Sequence, residues 1–476
     1  MLTDLGFLSK DQKWPPPSEQ ERLDMYHANT NLFNGDHHLV FTDWIRLLRD
    51  DQKATMELIL NWHKRLSTLW ADLLLGEPPK IKSGDDNEAV QQSLEHRVDQ
   101  GFINTAYECA LDVSRYGVGL LKIRYDGKAG LIEAIPASLW FPIVNPDNIK
   151  ETTHHILAWP YIINDVKYVR VEIHEKGRIT TKEILLNKDD KIVRELSSLE
   201  VQTNVDEFLI IPVNNLVTSD AVIGKDDYSD LGSLIQELEI RMAQISRILD
   251  KHADPSMSGP DTAMEIDPAT GQAVFRAGAK FYPAQSGDPE MQYVVWNGQL
   301  EAAFTQIETL MEQLYVLSET SAAAFGQLKV GLAESGTALK RLMMAPLAKV
   351  NRIRMRFDPA IKNALKIVAL LEIANGVPEA TLIDTVHIEW QDGIPIDMLE
   401  QAPIETQLYA AGLTSLESSL KRLFSLEGDA LTEEVDRIKK EKIENAPPPP
   451  VITMPGAKPK PAEKPTPKPE VKAGDK

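Results

Sequence analysis

Three glycines spaced five apart, Gly326, Gly331 and Gly336, punctuate the stretch "SETSAAAFGQLKVGLAESGTALKRL" from Ser318 to Leu342. Glycine-rich loops cradle phosphates when they match a G-x-x-x-x-G-K-[ST] or G-x-G-x-x-G pattern, and this one matches neither. The histidine pairs His37-His38 and His154-His155 are adjacent. They lack the i, i+4 spacing that sets two imidazoles on one helix face to hold zinc. An exposed polar position or a local hydrogen bond accounts for them more simply. Cys109 lies in "YECALDVSRYG" at a helical position and reads as a small buried residue. There is no G-x-S-x-G and no H-E-x-x-H. No catalytic group, metal site or cofactor emerges.

What remains unexplained is the loop itself. A long segment of Gly, Ala and Ser between two helical stretches is uncommon in a compact domain and is usually functional or disordered. Its polar side chains are Gln327, Lys329 and Glu334, followed by Lys340.

The elements around it follow from periodicity. "DWIRLLRDDQKATMELILNWHKRLSTLWADLLL" spaces Ile45, Leu48, Met56, Ile59, Leu66, Leu69 and Leu73 three and four apart, with Trp44, Trp62 and Trp70. Helix core is the plainer reading of those aromatics. The first 116 residues therefore read as mostly helical. From Gly117 the period becomes two, with hairpin turns at Asp126-Gly127 and Lys176-Gly177 and a further strand in "FLIIPVNNL". "DYSDLGSLIQELEIRMAQISRILDKH" returns to helix, with a seam at Leu231, Ile235, Leu238, Met242, Ile245 and Leu249. It would be about 37 Å long and should stop at Asp254-Pro255.

Residues 256–296 are rich in Gly, Pro and Asp, with β-like pieces at "AVFRAGAKFY" and "MQYVVW". A second helix follows, apolar at Leu300, Phe304, Ile307, Met311 and Leu314. A small β-rich insert thus sits between two helices, as a tip sits on a stalk. After the loop, a helix over 337–375 should kink at Pro346, and Asp358-Pro359 should kink or restart it. "VHIEWQDGIPIDMLEQ" reads as strand and loop. "APIETQLYAAGLTSLESSLKRLF" and "DALTEEVDRIKKEKIE" read as two small helices. The Pro/Lys-rich end from "NAPPPPV" lacks any core pattern and reads as disordered. The fold class is α+β, predominantly helical, with an antiparallel sheet.

The 476 residues carry 51 Lys plus Arg against 71 Asp plus Glu, a net charge of −20. That excludes tight nucleic-acid binding over the whole surface. The single cysteine excludes internal disulfides. No signal peptide and no membrane-spanning run is read, so a soluble intracellular protein is expected. Against this acidity stands a local reversal, with eight Lys or Arg and only Asp358 among the acids from Lys340 to Lys366.

Taken in order, several segments resemble the portal proteins of tailed bacteriophages, of the siphophage type. They are "RLDMYHANTNLFNGDH", "SRYGVGLLKIRYD", "FGQLKVGLAESGTALKRLMMAPLAKVNRIR", "HIEWQDGIPIDMLEQAPIETQLYAAGLTSLESSLKRL" and "EEVDRIKKEKIE". They span Tyr26 to Glu444, with the helix–tip–helix insert in place. The resemblance implies a ring, commonly of twelve copies, at one capsid vertex. Double-stranded DNA would enter through it during packaging and leave at infection. The terminase large subunit, a head-completion or adaptor protein, and the major capsid and scaffolding proteins would be its partners, and no membrane.

By position the resemblance assigns an N-terminal arm (1–19), a wing (20–227) and a stem helix (228–255). A clip (256–296), a second stem helix (297–317) and a tunnel loop (318–337) follow. A long kinked helix (338–385), a crown (386–445) and a disordered tail (446–476) complete it. The loop would place Gly326, Gln327, Lys329, Gly331, Glu334 and Lys340 beside DNA, small residues letting it bend close to the duplex. The clip would dock the terminase or connector around Arg276 and Lys280. Twelve chains at −20 would carry −240, a bore that repels and centres the duplex rather than gripping it. The basic run from Lys340 to Lys366 would face DNA or pair with an acidic neighbour, the second being favoured. The rival readings are another ring such as a head–tail adaptor, and an enzyme with an unrecognised site.

Overall fold

The computed structural model describes residues 1–41, 58–85, 87–253, 257–260, 265–274, 281–284, 292–293, 300–327, 336–391, 398–424, 426 and 428–444. The chain divides into two compact units, Met1–Pro395 and Ile396–Lys476.

The first unit opens with helices α1 (Gln20–Asn34), α2 (Trp62–Leu75), α3 (Glu88–Asp99) and α4 (Phe102–Tyr116). The long helix expected through Leu75 begins only at Trp62. Asn61 caps it by accepting the Lys64 N–H, and Ile59 is exposed before it. Ile45, Leu48, Met56 and Trp44 lie outside the described residues. Leu66, Leu69 and Trp70 are buried, as the spacing demands, while Leu73 is half-buried and its neighbour Leu74 takes the core position. Helix α4 stops at Gly117, whose φ is 77°. A Cβ there would sit 2.0 Å from the Gly224 carbonyl oxygen, so only glycine lets these two backbone segments meet.

Strands β2 (Val118–Tyr125), β3 (Gly130–Ile135) and β9 (Ile210–Asn214) form a sheet in the order β3-β2-β9. Strands β4 (Trp140–Asn145), β5 (Asn148–Ile163), β6 (Val166–Glu175), β7 (Arg178–Leu186) and β8 (Ile192–Gln202) form a five-stranded antiparallel meander. Both expected hairpin turns are there. Strands β5 and β8 were not foreseen. β8 is an edge strand exposed from Arg194 onward, its Leu196, Leu199 and Val201 included, so its apolar residues mark no core.

The N-terminal arm lies across this sheet. Val144 N–H bonds the Leu2 carbonyl at 3.1 Å, and Asp11 N–H bonds the Ile192 carbonyl at 2.8 Å. The Trp14 ring packs 4.9 Å from Phe141. Leu2, Trp14 and Leu23 share a core with Ile156, Val171 and Ile184.

After the loop, α7 (Gly336–Leu342) ends before Met343, and α8 (Met344–Ala374) runs for 31 residues. The break falls ahead of Pro346 rather than at it. Pro346 sits in the first turn of α8, where its missing N–H has no intrahelical acceptor to lose. The helix continues through Asp358-Pro359 without restarting, with Pro359 on its exposed side. Asp358 pairs with Lys362 at 2.6 Å and accepts the Trp390 indole N–H. The inner face of α8 buries Phe357, Ile361, Leu365 and Val368 against Trp70, Cys109, Leu121 and Ile123. Arg97 donates to the Gly130 carbonyl and pairs with Glu372, whose other oxygen accepts the Gly130 N–H. That buried clasp joins α3, β3 and α8. β1 (Lys80–Ser83) pairs antiparallel with β15 (Val386–Glu389), so the strand expected to open the crown belongs to the first unit.

Two helices carry the insert. They are α5 (Gly232–Ala253) and α6 (Leu300–Leu317). Between them β10 (Met257–Pro260) pairs parallel with β13 (Phe281–Ala284) and antiparallel with β14 (Gln292–Tyr293). β11 (Glu265–Ile266) pairs with β12 (Ala273–Val274). Leu231, Ile235 and Leu314 are buried with Leu66. Farther along the same seam Leu249 is exposed, and so is Phe304 of α6.

The second unit holds α9 (Met398–Ala410), α10 (Leu416–Phe424) and α11 (Gly428–Glu444). Three helices replace the expected two because Gly412, at φ 69°, turns the chain after α9. Arg422 clasps Glu405 through two bonds of 2.7 and 2.8 Å.

The histidine pairs are not wholly exposed. His37 is buried and its Nδ1 lies 2.7 Å from Glu239 of α5. His155 is buried and its Nδ1 accepts the Trp140 indole N–H at 3.1 Å. Burial first, then neighbouring histidines, pushes His155 and His63 down to about 3. Between about pH 3 and 6.5 the unfolded chain therefore binds protons that the folded chain refuses. This stability is complete above pH 6.5 and lost as the pH falls toward 3. Each histidine contributes a slope of about 1.4 kcal/mol per pH unit. Urea unfolding of His63→Phe should show a shallower loss between pH 6.5 and 4 than the parent chain. Equal slopes would show that His63 is not held neutral.

Candidate channel segment

The segment after α6 is built from short-range bonds rather than left loose. Ser318 donates its hydroxyl to the Leu314 carbonyl at 2.6 Å and shares a hydrogen bond with Thr320 at 2.7 Å. Glu319, at φ 58°, turns the chain, and its carboxylate pairs with Arg352 of α8. Ser321 caps a single 3-10 turn, Ala322–Phe325, which Gly326 closes at φ 75°. The Gln327 N–H returns to the Ala322 carbonyl at 3.0 Å, and its side-chain oxygen accepts the Tyr315 hydroxyl at 3.2 Å. The Phe325 ring stands edge-on to Trp62 at 5.2 Å and packs 6.0 Å from Tyr315, with the Arg65 guanidinium 5.8 Å away.

The segment expected to be soft over 318–337 is thus pinned through Gln327 and helical again from Gly336. Lys329, Gly331 and Glu334 lie outside the described residues, and so do Arg276 and Lys280 of the insert. Lys340 sits exposed on α7. Gly326 and Gln327 therefore belong to a rigid base.

The basic run is largely engaged inside the protomer. Lys349 is buried and pairs with Asp227 at 2.8 Å, its ammonium 4.3 Å from the centre of the Trp70 ring. Asp227 also accepts from Ser114 at 2.7 Å and Asn215 at 3.0 Å, and the Ser114 hydroxyl continues through Ser67 to Tyr228. Arg354 donates to the carbonyls of Leu73 and Gln391 and lies over Trp390. For Lys349, then, neither DNA nor a neighbour is needed: its partner is its own chain. Beside this pair opens a cavity of about 210 Å³, lined by acids and bases together, among them Asp230, Glu319, Arg352 and Arg356. Two ion pairs, Lys349 with Asp227 and Arg352 with Glu319, take up part of its charge, and it presents no nucleophile with an adjacent base. Among the described residues no group of His, Cys, Asp or Glu could hold a metal, and no helix is long and apolar enough to cross a membrane.

Sequence reading missed the pin of Trp62, Tyr315 and Phe325. The signal was Phe325, a lone aromatic among small residues. It also missed that Lys349 falls on the buried stripe of α8, next to Val350 and one turn before Ile353.

The family model described as "Phage portal protein, SPP1 Gp6-like" matches residues 13–448. The chain belongs to that phage portal protein family. Members of this class are structural parts of the particle, not enzymes. No curated protein matches the chain. Among solved structures it is similar to chains of gene transfer agent (GTA) particles. One is from "Neck of empty GTA particle computed with C6 symmetry", 13% identical over 79% of this chain and 93% of that one, with a TM-score of 0.44. Another is from "Virion of native gene transfer agent (GTA) particle", 13% identical over 77% and 89%, at 0.40. A third is from "Neck of native GTA particle computed with C12 symmetry", 14% identical over 76% and 89%, at 0.40.

Proposed function

We propose that copies of this chain form a ring, of twelve subunits, at one vertex of the capsid, and that double-stranded DNA passes through its centre during packaging and ejection. The family match across residues 13–448 carries the reading. The order of elements supports it: an α+β body, two helices bearing a small β-rich insert, a pinned segment and a long helix. In this reading the body is the wing, α5 and α6 are the stem, and the insert is the clip. Residues 318–337 form the tunnel loop, with Lys329, Gly331 and Glu334 at its tip near the duplex. The second unit supplies the crown. The terminase large subunit and a head-completion protein dock on the clip, and capsid and scaffolding proteins surround the ring.

Negative-stain imaging of the purified full chain tests the assembly. A wide ring with a central hole is expected. A compact monomer at micromolar concentration would overturn it. The clip assignment has its own test, because a small insert at the end of two helices can change without disturbing the body. Replacing residues 271–289 by a neutral linker should leave rings intact and abolish motor docking. Undiminished motor affinity would remove Arg276 and Lys280 from the docking surface.

A further inference from the structure

The ring reading leaves open which faces meet, and two exposed helix faces answer it. On α8, Met344 and Met355 are 72% and 73% exposed although methionine normally seeks a core. They lie eleven residues apart, about three turns, so they share one face about 16 Å long. Ala348, Asn351 and Arg352 lie along it, and Arg356 flanks its end; all are exposed. The opposite face of α8 is spent on the core. Arg352 is held by Glu319, whereas exposed Arg356 has no ion-pair partner among the described residues.

The second face is on α6. Glu301, Glu308 and Glu312 recur at the same helical spacing, over the same eleven residues, with exposed Val316 on that side and exposed Phe304 at its edge, on the stripe of Met311. Helix α6 carries no Lys or Arg. Its three glutamates make no ion pair among the described residues. Its other side, through Leu314 and Met311, packs on Leu231, Ile235 and Leu66. One face is apolar and cationic, the other apolar and anionic, and they match in length. Each is turned away from its own core.

We propose that the Met344–Met355 face of α8, with Arg356, docks on the Glu301–Glu312 face of α6 of a second copy of this chain. The proposal rests on the ring reading and deepens it. The two faces differ, so the contact is head-to-tail: it continues from copy to copy until a ring closes, where a self-complementary patch would stop at a dimer. DNA is the poorer occupant, since α6 would repel phosphates and methionines gain nothing from them.

The test uses the full chain. Arg356→Glu and Glu308→Arg each place like charges together and should raise the concentration needed for half-assembly by about tenfold or more. Combined in one chain they should restore it. Both sites are exposed, so the circular dichroism should not change. Cross-linking supplies a second measure, because Cys109 is fully buried and silent. Under oxidation Met355→Cys alone and Glu308→Cys alone should give no disulfide, and the two mixed should give a linked dimer. The double variant should give a ladder reaching the ring. Normal assembly of both charge variants with no disulfide on mixing would overturn these faces and leave the ring standing. Cross-linking of Met355→Cys to itself would overturn the head-to-tail contact. A parent chain that never assembles would remove the ring reading and this interface with it.

Discussion

Lys349→Met is expected to destabilise the first unit by about 3–5 kcal/mol, because removing one partner of a buried pair leaves the other charge uncompensated. The methionine itself fits: it matches the stem of lysine and would lie against Trp70. The cost comes from Asp227, whose side chain is slightly more buried than that of Lys349 and which keeps only the neutral donors of Ser114 and Asn215. Asp227→Leu alone should be comparably harmful, since it strands the ammonium. Both together should recover much of the loss, an apolar pair of similar volume being close to neutral at such a site. Urea midpoints for the four chains measure this. A Lys349→Met chain as stable as the parent would show that the pair is open to water. If instead Lys349 served DNA, stability would be untouched and only packaging would fall.

On the proposed reading of residues 318–337 as the tunnel loop, the largest functional effect is expected at Lys329 and Gly331. Lys329→Glu should leave folding and assembly nearly unchanged, since an exposed loop charge usually alters stability little, yet lower the DNA packaged or retained per capsid. A bulky residue at Gly331 should do the same by stiffening the loop or narrowing the bore. Gly326 acts by another route. Its φ of 75° closes the 3-10 turn, and a Cβ there would meet no atom within 4 Å. Gly326→Val therefore suffers a backbone strain of about 1–2 kcal/mol rather than a clash, loosening the turn that precedes Lys329. All three variants should reduce DNA content while capsid numbers hold. Particles with normal DNA content and infectivity for all three would make the segment a simple connector.

The sequence revealed what periodicity can carry. The hairpins at Asp126-Gly127 and Lys176-Gly177, the two helices flanking the insert and the burial of Cys109 were all legible, because turn residues and apolar spacing are local. Strand β8 was not, for its apolar Leu196, Leu199 and Val201 are exposed and its pairing with β7 is a tertiary fact. The break at Met343 was hidden because Pro346 is equally at home in a first turn and at a kink. The charge of the 340–366 run could be counted, but its direction could not: Lys349 faces Asp227, 122 residues away, and no spacing rule joins them. The small residues of the loop suggested softness, and the aromatic pin at Phe325 came from the distant Trp62.

The arm at the start of the chain has a consequence for the order of events during synthesis. Asp11 and Gln12 exchange backbone bonds with Ile192, and Trp14 fills a core whose walls are β4 to β8. On the ribosome, the binding site for the arm emerges roughly 180 residues after the arm itself, some ten to forty seconds at ordinary elongation rates. Leu2, Phe7 and Trp14 must wait through that interval with their apolar surface uncovered. The first segment made is thus among the last to be seated, and the nascent chain is most vulnerable to a holdase or to aggregation before β8 has been translated.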